Sequence, residues 1–206
     1  MRDIYVLAAH PDWRMSQLNR PMMEAAATLP RVEVTDLYSR YPDYAIDVAR
    51  EQQLLAQARL VVLLHPIQWY SMPPLQKLWL DEVLTYGWAY GGDKPEDHAL
   101  RGKDLWLAAS TGGAESSYHP QGYNRYFFDA FLPPYEQTAT LCGMRFLPPL
   151  VQHGAHHLQP QEIAAQVETF RARLESYPDW PELDDLASCP ACVVPMNDRP
   201  SARAKP

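Results

Sequence analysis

The stretch LVVLLHPIQWYSMPPLQKLWLDEVL, residues 60–84, decides the fold. Its first five residues are a continuous Leu/Val run, the pattern of a strand covered on both faces. Its end reads as an amphipathic helix. Between them lies HPIQWYSMPP, which is polar, aromatic and rigid at once. A plain connection needs only a turn residue or two. Pro74 suits the first turn of the next helix and Pro73 restrains the approach to it. Such a loop is ordered before a ligand arrives, which lowers the entropy cost of binding. Trp69 and Tyr70 can wall a planar ligand. The backbone N–H groups of Gln68, Trp69 and Tyr70 can hydrogen-bond a heteroaromatic edge. The alternative is that Trp69 packs on the core or on a neighbouring subunit.

Outward from this stretch, strand-like runs lie at 4–9, 32–37, 60–64, 105–110 and 144–151. Helix-like stretches lie near 17–28, 48–57, 74–84, 124–142 and 160–177. Ser16 is placed to cap the first helix, and Gly143 to end the fourth. A long loop, 94–101, precedes the fourth strand. The alternation predicts an α/β fold, an open doubly wound parallel sheet with helices on both faces. The pattern covers residues 1–177. Residues 178–206 are rich in proline and charge, without a period, and read as a tail that wraps the surface or stays mobile.

The 206 residues suit one domain with a sizeable core. The 47% hydrophobic content marks a globular chain. No apolar run approaches the roughly 18 residues of a membrane span. The opening MRDIYVLAAHPDW reads as a first strand, not a signal peptide. Three cysteines form no secreted disulfide framework, so the expected location is cytoplasmic. A net charge of −7 without a Lys/Arg cluster argues against nucleic acid as a partner. A phosphate-bearing cofactor stays open, because backbone N–H groups can hold a phosphate without a lysine.

In an open parallel sheet, ligands bind beyond the carboxyl ends of the strands. That rule selects HPDWRMSQLN after strand one, HPIQWYSMPP after strand three and STGGAESSYHPQG after strand four. The first contains no glycine, so it is neither a dinucleotide fingerprint nor a P-loop. Ser16 and Asn19 at a helix start offer a phosphate site or, alternatively, a plain cap. Thr111, Gly112 and Gly113 allow close approach to a flat ligand, or form a tight turn with no ligand. Tyr118 and His119 are the proton-handling pair of these loops, unless both are ordinary surface residues.

Together, AAHPDWRMSQLN, HPIQWYSMPPLQKLWLDEVLTYGWAYG and ASTGGAESSY resemble the flavodoxin-like NAD(P)H:quinone oxidoreductases, and most of all the bacterial Kef ancillary flavoproteins. The resemblance covers roughly residues 4–177. It implies a five-stranded flavodoxin-like sheet and a noncovalent FMN, with FAD the lesser alternative. It also implies NADPH or NADH as donor, a quinone-type acceptor and a homodimer. By position, His10, Ser16, Gln17, Leu18 and Asn19 would hold the flavin phosphate. Ile67, Gln68, Trp69 and Tyr70 would border the isoalloxazine ring, with Ser110, Thr111, Gly112 and Gly113 along its other edge. Tyr118 fits the family's proton-handling tyrosine. Asn124 occupies the position of the partner histidine, so that half of the relay is missing or replaced by His119. The resemblance further implies docking on a membrane potassium-efflux protein, which would place the chain peripherally on the inner face of the membrane. A regulatory subunit is therefore the alternative to an enzyme, and the two roles are compatible. A module that uses the flavin only structurally is a third.

Three motifs stand apart. CPAC (Cys189, Cys192) lacks the strand-to-helix context of a redox pair and the second ligand pair of a zinc knuckle. HGAHH (His153, His156, His157) follows strand five at the ligand end and reads as pocket lining rather than a metal site. ELDD (182–185) reads as a solvated run.

Overall fold

The computed structural model describes residues 2–92 and 98–186. Cys189 and Cys192, and part of the loop before the fourth strand, lie outside the described residues. The strands are β1 (Ile4–Ala8), β2 (Val32–Asp36), β3 (Leu60–Pro66), β4 (Asp104–Ser110), β5 (Arg145–Phe146) and β6 (Leu150–Gln152). The helices are α1 (Asn19–Ala27), α2 (Leu37–Arg40), α3 (Val48–Gln57), α4 (Pro74–Val83), α5 (Pro133–Leu141) and α6 (Pro160–Ser176). All strand pairs are parallel. The order is β2-β1-β3-β4-β5, with β6 also on β4. The order of winding reverses between β1 and β3, which opens a crevice at their carboxyl ends.

Each strand sends alternate residues to opposite faces. Tyr5, Leu7, Val61, Leu63, Leu105 and Leu107 meet Leu55 of α3, Leu75 and Trp79 of α4 and Tyr135 of α5. Ile4, Val6, Leu60, Val62 and Trp106 meet Met22 of α1 and Phe170 of α6 on the other face. The tail begins on this second face. Trp180 and Leu183 are buried, and the Trp180 ring meets Trp106 edge-on at 4.9 Å.

The fifth predicted strand is two strands. Pro148 and Pro149 carry no N–H for the ladder and split 144–151 into β5 and β6. The fourth predicted helix is shorter than 124–142. Two prolines cannot sit inside a helix, so α5 starts at Pro133, and the chain before it is irregular with one 3₁₀ turn at Phe128–Phe131. At the other end Gly143, at φ +70°, closes a Schellman cap: its N–H donates to Thr140 O and the Met144 N–H to Ala139 O. The short helix α2, capped by Asp36, follows β2 directly and has no counterpart in the predicted pattern.

Among the described residues the carboxylates of Glu51 and Asp104 are buried, Glu51 completely. Glu51 of α3 accepts from the Tyr5 and Tyr41 hydroxyls, from Trp79 Nε1 and from Arg50. The carboxylate is satisfied on all sides, which is the condition for burying it.

Candidate active site

The loop after β3 has a geometry that the sequence does not show. Gln68 and Ser71 exchange backbone hydrogen bonds of 2.9 and 3.1 Å, so Trp69 and Tyr70 form the two-residue tip of a tight reversal. Both sit in the left-handed region, at φ +48° and +65°. Positive φ at both central residues defines a type I′ turn, normally made by Asn and Gly. Two bulky aromatics there store strain of about 1–3 kcal/mol each. Strain held by two hydrogen bonds and released into no core contact marks a position kept for something other than stability. Trp69 is 93% exposed, so the core alternative is excluded. The Gln68 N–H is spent on Ser71 O and is not available to a ligand, contrary to expectation. The Trp69 and Tyr70 N–H groups find no acceptor among the described residues.

After the loop, Pro73 and Pro74 start α4. Pro73 O accepts from the Gln76 and Lys77 N–H groups at 3.0 and 3.1 Å. The Tyr70 ring stacks on Phe131 at 5.2 Å, and its hydroxyl reaches Asn124 Oδ1 at 3.4 Å.

The remaining loops knit to one another. Ile67 N–H donates to Ser110 O, Thr111 N–H to Gln152 O and Gly154 N–H to Gly113 O. The carboxyl ends of β3, β4 and β6 thus form one continuous rim. Along it run two adjoining cavities that share Ile67 and Gly112. His10, Ser16, Gln17, Gln68, Ser110 and Thr111 line the first. Trp69, Tyr70, Gly113 and Tyr118 line the second.

Two further positions on the phosphate side behave differently. The Leu18 side chain belongs to the core, leaving only its backbone for a ligand. Asn19, 2% exposed at the start of α1, accepts from Ser110 Oγ at 2.5 Å. Its Nδ2 is buried and has no partner among the described residues. Asn19 does not itself line the first cavity, but its hydrogen-bond partner Ser110 does, and it stands at the positive end of α1, where an anion is favoured. Ser16 Oγ accepts the Arg20 N–H at 3.0 Å and so serves the start of α1 from outside the helix proper.

At the other end, Tyr118 packs among Phe128, Phe131 and His153, with its ring 5.0 Å from the imidazole. His119 is not with it in the cleft. It lines a neighbouring surface hollow, which Tyr118 also borders, and meets Phe127 edge-on. The sequence placed the HGAHH histidines at the ligand end as pocket lining, without a contact for His153. Its Nδ1 lies 3.0 Å from Thr111 Oγ1. The one Thr111 hydroxyl proton goes to Gly113 O, so Nδ1 carries the imidazole proton and Nε2 is the basic nitrogen. Burial pushes the His153 pKa down, with Glu115 opposing. Asn124, Tyr123 and Ser117 also line the second cavity; Ser117 lies in a selected loop without having been singled out, and nothing in the sequence pattern pointed to Tyr123. Among the described residues no cluster of His, Cys, Asp or Glu is placed to hold a metal ion.

This geometry has known relatives. The model of the flavodoxin-like fold family matches residues 2–177. The chain belongs to that family. A glutathione-regulated potassium-efflux system ancillary protein KefF from Citrobacter koseri is 46% identical over 171 residues, covering 83% of this chain and 94% of that protein. General stress protein 14 from Treponema denticola, solved in complex with FMN, is 35% identical with a TM-score of 0.76, over 84% of this chain and 98% of the other. An NADPH-quinone reductase from P. pentosaceus is 26% identical with a TM-score of 0.71, over 82% and 95%. The fold and the family resemblance read from the three loops therefore hold.

Proposed function

We propose that this chain is an FMN-dependent NAD(P)H oxidoreductase acting on quinones or related acceptors. The observation that carries the reading is the cleft itself, a cavity lined by His10, Ser16, Gln17 and Ser110 that adjoins a second one bordered by a strained aromatic turn. FMN bound to one relative and quinone reduction in the name of another support it.

The residues fit the cofactor. Asn19 Nδ2, Ser16, Gln17 and the Leu18 backbone would hold the phosphate, with His10 beside them. Ile67, Trp69 and Tyr70 would border the flavin ring on one side and Thr111, Gly112 and Gly113 on the other. FMN, when bound, supplies the two-electron hydride chemistry. The protein's share is orientation and charge. The free N–H groups of Trp69 and Tyr70 point to stabilisation of negative charge that develops at the ring edge. Tyr118, with neutral His153 beside it, is the proton-handling group of this end. His153 thereby takes the place that sequence reading offered to His119. Donor and acceptor would use one open face in turn, so the kinetics would be ping-pong. Exposed Tyr123, Tyr126 and Phe127 beside the cleft suit burial against a second copy in a homodimer.

Initial rates of the FMN-loaded protein test the reading. Double-reciprocal plots against NADPH at several quinone concentrations should be parallel. Absence of turnover with every donor and quinone would overturn it.

Kinship with KefF favours a second, compatible reading: a regulatory subunit docked on a membrane potassium-efflux protein. Among the described residues no helix is long and apolar enough to cross a membrane, so a membrane location would come from such a partner. Co-purification with that partner is the test.

A further inference from the structure

The phosphate end of the cleft has an unusual charge inventory. No lysine or arginine lines this cavity. Among the described residues its ionisable lining is two histidines, His10 just after β1 and His156 in the 3₁₀ turn after β6. His10 is 9% exposed. Its Nδ1 accepts the Asp12 N–H at 3.2 Å, so its Nε2 carries the proton and has no acceptor among the described residues. Asp12 favours a proton on His10 and is itself paired with Arg14 through two bonds of 2.9 Å. His156 lies across Gly112: a Cβ added to that glycine would meet the imidazole at 3.1 and 3.2 Å. The His156 ring has no hydrogen-bond partner among the described residues. The two imidazoles also feel each other, since His156 disfavours protonation of His10.

Resting on the FMN reading, we propose that His156 joins His10 as a second imidazole donor to the cofactor's phosphate, the pair replacing the lysine or arginine the cavity lacks. The logic is electrostatic. In the empty cavity burial disfavours a proton on His10, and His156 adds to that. A phosphate dianion reverses that balance and favours imidazolium. Binding then takes up a proton. The chain holds FMN more tightly, relative to the same flavin without phosphate, at lower pH. The gain fades as pH rises and the imidazoles lose their charge. The window sits above the second phosphate ionisation, at about pH 6.

The test compares FMN with riboflavin, using apoprotein and quenching of flavin fluorescence, at about pH 6.5 and about pH 8.5. Wild-type preference for FMN over riboflavin should fall severalfold to roughly tenfold between the two pH values. His156→Gln should lower FMN affinity roughly tenfold at the lower pH and leave riboflavin unchanged. His156→Lys, with a fixed charge, should shrink that fall, leaving only the part due to His10. His156 is exposed, and circular dichroism checks that each variant is folded. Equal weakening of FMN and riboflavin in His156→Gln, or no change in either, would overturn this inference alone. Failure of the wild-type chain to bind FMN at either pH would overturn it together with the proposed function.

Discussion

Replacing Trp69 by glycine should make the empty protein more stable and the flavin complex weaker. Trp69 sits at φ +48° and is 93% exposed, so the substitution relieves strain and removes almost no packing. A bulky L-residue in this region costs about 1–2 kcal/mol. Glycine gives part of that back, roughly 0.5–1 kcal/mol, through the larger entropy of its unfolded state. The net gain is about 0.5–1 kcal/mol, equivalent to a rise in Tm of roughly 1–4 °C for a domain of this size. On the ligand side, an aromatic wall against a flat ring is worth about 0.5–1.5 kcal/mol. Its loss should raise the Kd for FMN by about twofold to tenfold. The assay is a urea melt of apoprotein beside a fluorescence titration with FMN. A destabilised variant would show that Trp69 packs against something, a partner copy included. An unchanged Kd would show that the turn does not face the flavin.

Other expectations are as specific. His65 at the end of β3 is fully buried, its Nδ1 3.0 Å from Pro66 O, and burial pulls its pKa from 6.5 to about 4. The folded state keeps it neutral while the unfolded chain protonates, so its contribution is intact above pH 6.5 and is lost as pH falls towards 4. The loss is about 3 kcal/mol, and His65→Phe should flatten it in urea melts at about pH 7 and about pH 4.5. An unflattened profile would mean that His65 is not the group that titrates. Glu51→Ala leaves Tyr5, Tyr41, Trp79 and Arg50 facing an empty acceptor position. It should cost about 3–5 kcal/mol, and a loss below about 1 kcal/mol would mean that the network is dispensable. Asn19→Ala should weaken FMN by roughly tenfold while sparing riboflavin, and equal weakening of both would place the phosphate elsewhere.

The parts legible in the sequence were those set by local pattern. The Leu/Val run of β3, the prolines opening α4 and Gly143 closing α5 all declare themselves, because strand burial, N1 prolines and left-handed caps depend on a few adjacent residues. Boundaries failed where proline worked against an apolar run, at Pro148–Pro149 and Pro133–Pro134. In the site, the three loops were found because the sheet rule names the carboxyl ends of strands. The type I′ turn at Trp69 and Tyr70 was not legible, since neither residue has the propensity for positive φ. Contacts between distant segments were equally hidden. His153 meets Tyr118 and Thr111 only through the pairing of β6 with β4, and Asn19 meets Ser110 across the sheet edge.

The most direct measurement is an anaerobic titration of the FMN-loaded chain with NADPH, followed through the flavin's visible absorption. One equivalent per bound flavin should bleach the band, and one equivalent of quinone should restore it. A chain that takes up no FMN, or a bound flavin that neither NADPH nor NADH bleaches, would contradict the assignment of this cleft to flavin-dependent electron transfer.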